Sequence, residues 1–204
     1  MCHDVPVSAR QRFLAVAATF ALATTAGCSI SIGDDKDDQP DPVFGTGNTV
    51  QWDLTRPLEA EALGLPPDEM VIVDVPENPT VTLTLPTGTW SGPTEEMWVI
   101  TRHGYVDSVN LYWFEPDGQA AAARMVADAG LFGIDAEGAA AWAETARYLE
   151  TADIAESDHE ENFNGTNGDV SIAVQPDMAV GEGPGTPVQL RYLFYVRDVV
   201  ETAG

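Results

Sequence analysis

The sequence predicts a single α+β domain, built mainly from an antiparallel sheet of five to seven strands with a helical hairpin inserted at about residues 116–149. Two observations lead to this fold class. Segments on both sides of the hairpin alternate apolar and polar residues with the period of two that is typical of strands. Between them, an alanine-rich stretch repeats its apolar residues with the period of a helix. Residues 48–204 are enough for one domain that buries about 70% of its unfolded surface.

Seven segments have the composition and periodicity of strands. Most are apolar on one face only, as half-buried antiparallel strands are, whereas Met70–Val75 is apolar on both faces up to Asp74 and predicts a more buried strand. In the last segment, Gln189 and Arg191 lie on the polar face. The predicted strands are Val50–Leu54, Met70–Val75, Val81–Leu85, Met97–Arg102, Val109–Phe114, Val170–Val174 and Val188–Val196.

The helical hairpin consists of two short helices. Asp117 is a typical N-cap for the first helix and Gly130 a typical stop, while Asp135 is placed to cap the second. The apolar stripes are Ala122, Met125, Val126 and Ala129 in the first helix, and Ala139, Trp142, Ala146 and Leu149 in the second. We expect the hairpin to pack on one face of the sheet and to precede the last two strands.

Segments rich in glycine and proline mark the breaks between these elements. Asn164-Gly165 and Asn167-Gly168 are turn signals in the acidic segment 151–169. Pro176–Pro187 is predicted to be a loop that joins the last two strands. Gly88–Pro93 is predicted to be another loop, and it contains Trp90.

The first 27 residues have the pattern of an export signal. Arg10 and Arg12 precede Phe13–Ala26, a stretch of 14 residues without charge, which is shorter than the about 20 apolar residues that cross a bilayer. Thr25-Ala26-Gly27-Cys28 closes this stretch and resembles the lipobox of bacterial lipoprotein precursors. The alternatives are an ordinary secretory signal with an incidental cysteine and a buried N-terminal helix.

The resemblance to lipoprotein precursors covers only the first 28 residues and implies no fold. It implies that Cys28 carries acyl chains such as palmitate, that the signal peptide 1–27 is removed, and that the protein is anchored in the cell membrane on its extracytoplasmic face. Residues 28–47 contain five acidic residues and few that can pack. They predict a disordered acidic tether between the anchor and the domain 48–204.

Acidic residues dominate the charge of the domain. Residues 48–204 contain 27 Asp and Glu against six Arg and no Lys, which gives a formal net charge of −21. Such a charge repels nucleic acids and anionic lipid headgroups, and so excludes them as partners. Cations, proteins and neutral ligands remain, and the charge itself fits either solubility in a salt-rich exterior or a cation site.

The densest group of acidic residues follows the hairpin. Ca²⁺ takes about six to eight oxygen ligands and is the one cofactor that this group suggests, although the spacing is not that of an EF-hand loop. A solvated acidic loop is the other interpretation. The candidate metal ligands are Asp153, Glu156, Asp158, Glu160, Glu161 and Asp169. Only His103 and His159 follow the signal, which excludes a zinc site with several histidines.

Two side chains are candidates for contact with a ligand. Trp90, in its predicted loop, could stack on a ligand, and the alternative is that it covers one end of the core. His103 lies in the predicted turn after Met97–Arg102, where the alternative is a surface histidine without a catalytic role.

The sequence contains none of the catalytic motifs that carry a local signature. It has no G-x-S-x-G, S-x-x-K or G-x-x-x-x-G-K-[ST] motif, and lipidation would use the thiol of Cys28. We therefore expect a non-catalytic domain that binds a protein or a neutral ligand, on a protein whose acyl chains hold it to the membrane. The alternatives are a membrane-anchored hydrolase that uses carboxylates and a Ca²⁺-stabilised surface adhesion module.

Overall fold

Nine strands and two helices form the part of the chain that the computed structural model describes, residues 43–45, 47–153, 161–196, 199 and 201. The strands are β1 Thr49–Asp53, β2 Met70–Val73, β3 Thr80–Leu85, β4 Gly88–Gly92, β5 Glu96–Arg102, β6 Tyr105–Glu115, β7 Phe163–Asn167, β8 Val170–Met178 and β9 Val188–Tyr195. The helices are α1 Gly118–Phe132 and α2 Ala136–Leu149, and Glu61–Leu63 forms one turn of 3₁₀ helix. Neither α1 nor α2 is long and apolar enough to cross a membrane.

The strands form two sheets. One is a six-stranded antiparallel sheet in the order β2-β5-β6-β9-β8-β7, and the other is a three-stranded sheet in the order β1-β3-β4. This architecture confirms the predicted α+β class with its inserted helical hairpin. The sequence pattern does not predict the second sheet, in which β1 runs parallel to β3, because parallel pairing depends on segments that lie far apart in the chain.

Both helices begin where the sequence predicts them. Asp117 accepts a hydrogen bond from the backbone N–H of Ala120 at 2.8 Å, which caps α1. Asp135 caps α2 in the same way, by accepting a hydrogen bond from the N–H of Glu137 at 3.0 Å. The predicted apolar stripe of α2 is buried at all four positions, Ala139, Trp142, Ala146 and Leu149.

Helix α1 ends later than predicted. Gly130 is an ordinary helical residue, and the helix continues to Phe132 before Gly133 ends it with a φ of 67°, a left-handed conformation that glycine adopts readily. A Cβ added to Gly133 would lie 2.6 Å from the carbonyl oxygen of Thr166 on β7, so this position also needs the space that glycine leaves. In the predicted stripe, Val126 is 40% exposed, whereas the other members are buried: Ala122, Met125 and Ala129.

The prediction of a buried strand at Met70–Val75 is wrong. β2 pairs only with β5 among the described strands and therefore lies at an edge of the sheet. Met70 and Ile72 are 54% and 62% exposed, so one face of β2 is open to solvent. The apolar residues on both faces of β2 therefore do not indicate a central strand, because those on one face are exposed to solvent.

Two strands form where the sequence suggests loops. β4 includes Trp90 and pairs with β3 in a hairpin, and β7 places three strands after the helical hairpin, where two are predicted. Asn164-Gly165 lies inside β7, so the predicted turn at that point is wrong. Asn167-Gly168 does turn the chain, with a φ of 58° at Gly168.

The core lies between the inner face of the six-stranded sheet and a layer formed by α1 and the three-stranded sheet. The ring centroid of Trp90 on β4 lies 5.7–6.3 Å from those of Trp113, Phe132, Tyr192 and Phe194. Because successive side chains of a strand point to opposite faces, the residues that alternate with these lie on the other side of the sheet. We call that side the outer face, and it carries Trp98, Asn110, Tyr112, Gln175 and Arg191.

Candidate ligand-binding site

A row of polar and aromatic side chains crosses the outer face at the middle of the six-stranded sheet. Tyr112 on β6 is the register partner of Arg191 on β9, and Arg191 is the partner of Gln175 on β8. Residues directly opposite one another on the same face of a sheet have Cβ atoms about 5 Å apart. The register therefore brings these three side chains into contact although they are distant in sequence.

Arg191 is held in this row by three neighbours. Its guanidinium carbon lies 5.2 Å from the ring centroid of Tyr112, which is the geometry of a cation–π interaction. Its Nη1 donates to Oε1 of Gln175 at 3.2 Å, and its Nη2 donates to Oδ1 of Asn110 at 3.4 Å. The amide nitrogen of Gln175 in turn donates to Oδ1 of Asn162. The hydrogen bonds thus continue from β6 to the segment before β7.

Within the described structure, three polar atoms next to this row are buried without a hydrogen-bond partner: Nε of Arg191, Nδ2 of Asn110 and Oγ of Ser108. Asn110 and Ser108 are 2% and 1% exposed, although both lie on the outer face. A buried polar group without a partner costs about 1–3 kcal/mol. Such groups are rare in folded proteins, and a functional site is one of the accepted explanations for them.

Two adjoining cavities lie at this part of the sheet, and the smaller one lies over the row. One, of about 320 Å³, is lined by Tyr112, Glu161, Asn162, Gln175, Pro176, Asp177, Gln189 and Arg191. The other, of about 680 Å³, is lined by Phe114, Asp177, Met178, Ala179, Glu182, Pro184, Gly185, Thr186, Pro187 and Gln189. Because both include Asp177 and Gln189, we treat them as one depression, the outer groove. Its volume falls in the range of small-molecule sites, roughly 300–1,000 Å³.

The outer groove combines one positive group with several negative ones. Glu161, Asp177 and Glu182 line it together with Arg191. Burial raises the pKa of the Tyr112 hydroxyl, although Arg191 beside it acts in the opposite direction. Tyr112 therefore remains a neutral phenol at neutral pH. The groove therefore offers a positively charged hydrogen-bond donor and negatively charged acceptors next to the ring of Tyr112.

A second polar cluster lies on the inner side of the sheet. Oδ2 of Asp128 accepts hydrogen bonds from Nε of Arg124 at 2.8 Å, from the hydroxyl of Tyr192 at 2.9 Å and from Nε1 of Trp90 at 3.2 Å. We call these four residues the Asp128 cluster. Burial, followed by the charge of Asp128, holds the pKa of Tyr192 well above its ordinary value. Because the cluster joins α1 to β4 and β9 inside the core, it stabilises the fold.

The structure corrects the placement of Trp90. The residue lies on a strand, and its side chain is 2% exposed at the centre of the aromatic core, so its ring has no face open to an external ligand. The alternative interpretation, a tryptophan that packs over the core, agrees with this position. Glycine and serine neighbours suggest a loop, but they belong to a short hairpin strand paired with β3.

His103 lies in the predicted turn, between β5 and β6. Its φ is 53°, and its backbone N–H donates to Oδ1 of Asp68 at 2.7 Å. The imidazole is 95% exposed, with Nδ1 4.0 Å from the same carboxylate oxygen. His103 also lines a cavity of about 620 Å³ that is separate from the outer groove. A role of His103 in ligand contact therefore stays a prediction.

The candidate metal ligands fall only partly within the described residues. Glu156, Asp158 and Glu160 lie outside them, as Cys28 does. Glu161 and Asp169 lie beyond opposite ends of β7. Because an extended chain rises about 3.3 Å per residue, the two are separated by roughly 20 Å. These two carboxylates therefore cannot bind the same ion. No group of three metal-binding side chains occurs in the part of the chain with described structure, and a Ca²⁺ site nearer Asp153 stays a prediction.

The residues of the outer groove are not candidates in the sequence, apart from Glu161. The period of two does place Arg191 on the polar face of the last strand, but it does not reveal that Tyr112 and Gln175 lie beside it. Comparisons of the chain with protein-family models, with curated proteins and with solved structures found no match. The candidate site therefore rests on the geometry of this chain.

Proposed function

We propose that this protein is a lipid-anchored lipoprotein on the extracytoplasmic face of the cell membrane, and that its domain is a non-catalytic binding module. The anchor is Cys28, on the basis of the resemblance of Thr25-Ala26-Gly27-Cys28 to a lipobox. The binding site is the outer groove. The observation that supports binding most directly is an arginine, Arg191, that lines an open groove together with Glu161 and Asp177 but forms no ion pair with either of them in the described structure.

The contents of the groove favour binding over hydrolysis. Nucleophilic catalysis requires a hydroxyl or thiol in hydrogen-bond contact with a base. Among the described residues, Thr186 is the aliphatic hydroxyl of the groove, and it donates to the carbonyl oxygen of Gly183 at 2.7 Å. A hydroxyl oriented by a backbone carbonyl is a structural donor, and no groove carboxylate contacts it in this part of the chain.

The anchor is tested by expressing the full-length chain in bacteria fed with a clickable palmitate analogue. We expect the label to enter the wild-type protein, and intact mass spectrometry to show loss of residues 1–27 and a gain of acyl mass at Cys28. The Cys28→Ala variant serves as the matched control and should remain unlabelled. Wild-type protein recovered without acyl chains would contradict the lipoprotein proposal.

The binding function is tested separately on the full chain purified in detergent. A thermal-shift screen with envelope components, including peptidoglycan fragments, free amino acids and neutral sugars, should identify a ligand that raises the unfolding midpoint. The variant Gln189→Ala, which truncates a side chain shared by both cavities, should weaken that shift. Turnover of a peptide, ester or glycan substrate would instead support the hydrolase alternative.

A further inference from the structure

Building on the proposed binding function, we propose that the outer groove recognises a zwitterionic ligand, an amino acid or short peptide with an apolar side chain. Its carboxylate would bind Arg191, and its ammonium group would lie between Asp177 and Glu161. All three residues line the same 320 Å³ cavity. Arg191 forms no ion pair with these acids in the described structure, and the larger cavity with its apolar walls adjoins them.

Arg191 lacks a carboxylate partner among the described residues of a strongly acidic domain. Arg56, Arg102 and Arg124 form ion pairs with aspartates at 3.2, 3.6 and 2.8 Å. The contacts of Arg191 with described residues are to two neutral amide oxygens and the ring of Tyr112. A half-buried guanidinium without a counter-charge is the side chain that binds carboxylates best, through paired N–H groups.

Arg191 has N–H groups left for such a ligand. A guanidinium carries five N–H donors, of which one on Nη1 and one on Nη2 are used by Gln175 and Asn110. Nε is closed off from solvent, so the second N–H of each terminal nitrogen is the group that can meet a ligand in the cavity.

A simple anion does not suit the charge around Arg191. Residues 48–204 carry a formal net charge of −21, and this field disfavours the approach of an anionic ligand. Asp177 and Glu161 line the same cavity as Arg191 without forming an ion pair with it in the described structure. A ligand with one charge of each sign has no net charge to be repelled, and it provides a partner for both kinds of group.

The spacing of these groups suits a small zwitterion. Gln175 is the register partner of Arg191, and Asp177 lies two residues further along β8 on the same face. Diagonal neighbours of this kind have Cα atoms about 7–8 Å apart. The charged ends of the side chains of Arg191 and Asp177 can thus flank a ligand of amino-acid or dipeptide size.

The larger cavity can hold an apolar side chain of the ligand. The 680 Å³ cavity adjoins the first at Asp177 and Gln189, and its walls include Phe114, Met178 and Pro184. Phe114 is 52% exposed, so covering it with an apolar group would remove apolar surface from water. A ligand whose charges lie at Arg191 and Asp177 therefore extends an apolar side chain towards Phe114.

The test uses isothermal titration of the full chain, purified in detergent, with four probes. L-Leucine and leucyl-leucine carry both charges, N-acetyl-leucine lacks the ammonium group, and leucinamide lacks the carboxylate. We expect the zwitterions to bind and each blocked form to bind roughly 10- to 100-fold more weakly, the range for loss of a charge-assisted contact. The stronger of the two zwitterions identifies whether a free amino acid or a peptide is preferred.

Variants with matched controls locate the site. Arg191→Gln should weaken leucine binding by the same factor as blocking the carboxylate. Arg56→Gln makes the same charge change at an exposed side chain that lines neither cavity, and it should leave leucine binding unchanged. Asp177→Asn and the exposed turn variant Asp169→Asn form the second pair. Because Asp177 is itself exposed, its variant tests the site even if Arg191→Gln lowers stability.

Three results would overturn the proposal. One is equal affinity for leucine, N-acetyl-leucine and leucinamide. The second is zwitterion binding that survives both groove variants. The third is no heat from either zwitterion at about 10 mM, where even a millimolar site would be filled. In that third case, a ligand from the thermal-shift screen whose effect is lost in Gln189→Ala would leave the binding function standing and reject only the zwitterion.

Discussion

Replacing Asp128 by alanine removes the acceptor that joins α1 to β9 and β4 through hydrogen bonds. One oxygen of Asp128 accepts from Arg124, Tyr192 and Trp90. The variant leaves the hydroxyl of Tyr192 and the indole N–H of Trp90 as buried donors without their partner, and it leaves Arg124 without its counter-charge. Loss of one partner of a buried ion pair costs about 3–5 kcal/mol, and each orphaned donor costs about 1–3 kcal/mol.

These contributions are not additive, because all three hydrogen bonds share one acceptor oxygen. The side chains of Asp128 and Arg124 are 14% and 26% exposed, so water recovers part of the loss at the rim. We therefore expect Asp128→Ala to lower the free energy of unfolding by about 3 kcal/mol. Asp128→Asn keeps an acceptor oxygen but loses the charge, and it should cost about half as much.

The assay is urea unfolding of the full chain, followed by far-UV circular dichroism, with the midpoint and slope fitted separately. Asp169→Ala, on the exposed turn between β7 and β8, is the control and should lie within about 0.5 kcal/mol of wild type. A double-mutant cycle introduces Asp128→Ala into the Arg124→Met variant. There, Asp128→Ala should lower the free energy of unfolding by less than it does in the wild type, because no charge is left uncompensated. A loss below about 1 kcal/mol for Asp128→Ala, with an unchanged slope, would refute the structural role of the cluster.

Three further predictions follow from other parts of the fold. Because the pKa of Tyr192 is raised in the fold, the unfolded chain releases the phenol proton near pH 10 while the folded protein retains it. The free energy of unfolding should therefore fall above about pH 10, by up to about 1.4 kcal/mol per pH unit. Tyr192→Phe should make this fall less steep in urea titrations at several pH values, and an equal fall in both proteins would contradict the prediction. Gly118→Ala should destabilise the protein by about 1–3 kcal/mol, because the new Cβ would lie 2.2 Å from that of Ala146. Gly130→Ala has open space around it and should stabilise the protein by up to about 1 kcal/mol. A higher thermal unfolding midpoint for Gly118→Ala than for Gly130→Ala would contradict the packing of α1 on α2. Calorimetry with millimolar Ca²⁺ tests the acidic segment 153–169, where absence of heat would remove the Ca²⁺ alternative and saturable heat would favour it.

The helices are predictable from the sequence because their determinants are local. Asp117 and Asp135 cap the helices through bonds to amides two or three residues away. The end of α1 is not local, because Gly130 and Gly133 are both suitable stops by residue type. The choice between them depends on the approach of β7 to Gly133, which only the fold reveals.

The strands show the same division between local and distant causes. β3 and β9 are recognisable because their apolar residues alternate cleanly. β4 has the composition of a turn, and it becomes a strand because Trp90 pairs across from Leu83 and packs into the core. β2 looks central in sequence but lies at an edge, because hydrophobicity does not report how many neighbours a strand has.

The candidate site could not be predicted from the sequence, because its residues are distant from one another in the chain. Tyr112 and Arg191 are 79 positions apart, and their contact is fixed by the pairing of β6 with β9. A shift of one residue in that pairing would turn Arg191 to the inner face. Polarity alone therefore identified the face on which Arg191 lies, and only the register identified its neighbours.

The two faces of the six-stranded sheet differ in how they are covered. α1 and β4 cover the inner faces of β6 and β9, whereas the outer groove leaves part of the outer face open to solvent. An outer face shaped only for solubility would be polar throughout, yet Phe114, which lines the outer groove, is 52% exposed there. Arg191 lines the same groove and forms no ion pair with a described acid, although the domain is rich in acids. Exposed apolar groups and an uncompensated charge both reduce the stability of an isolated domain. Their occurrence together at one groove is accounted for if a ligand covers them.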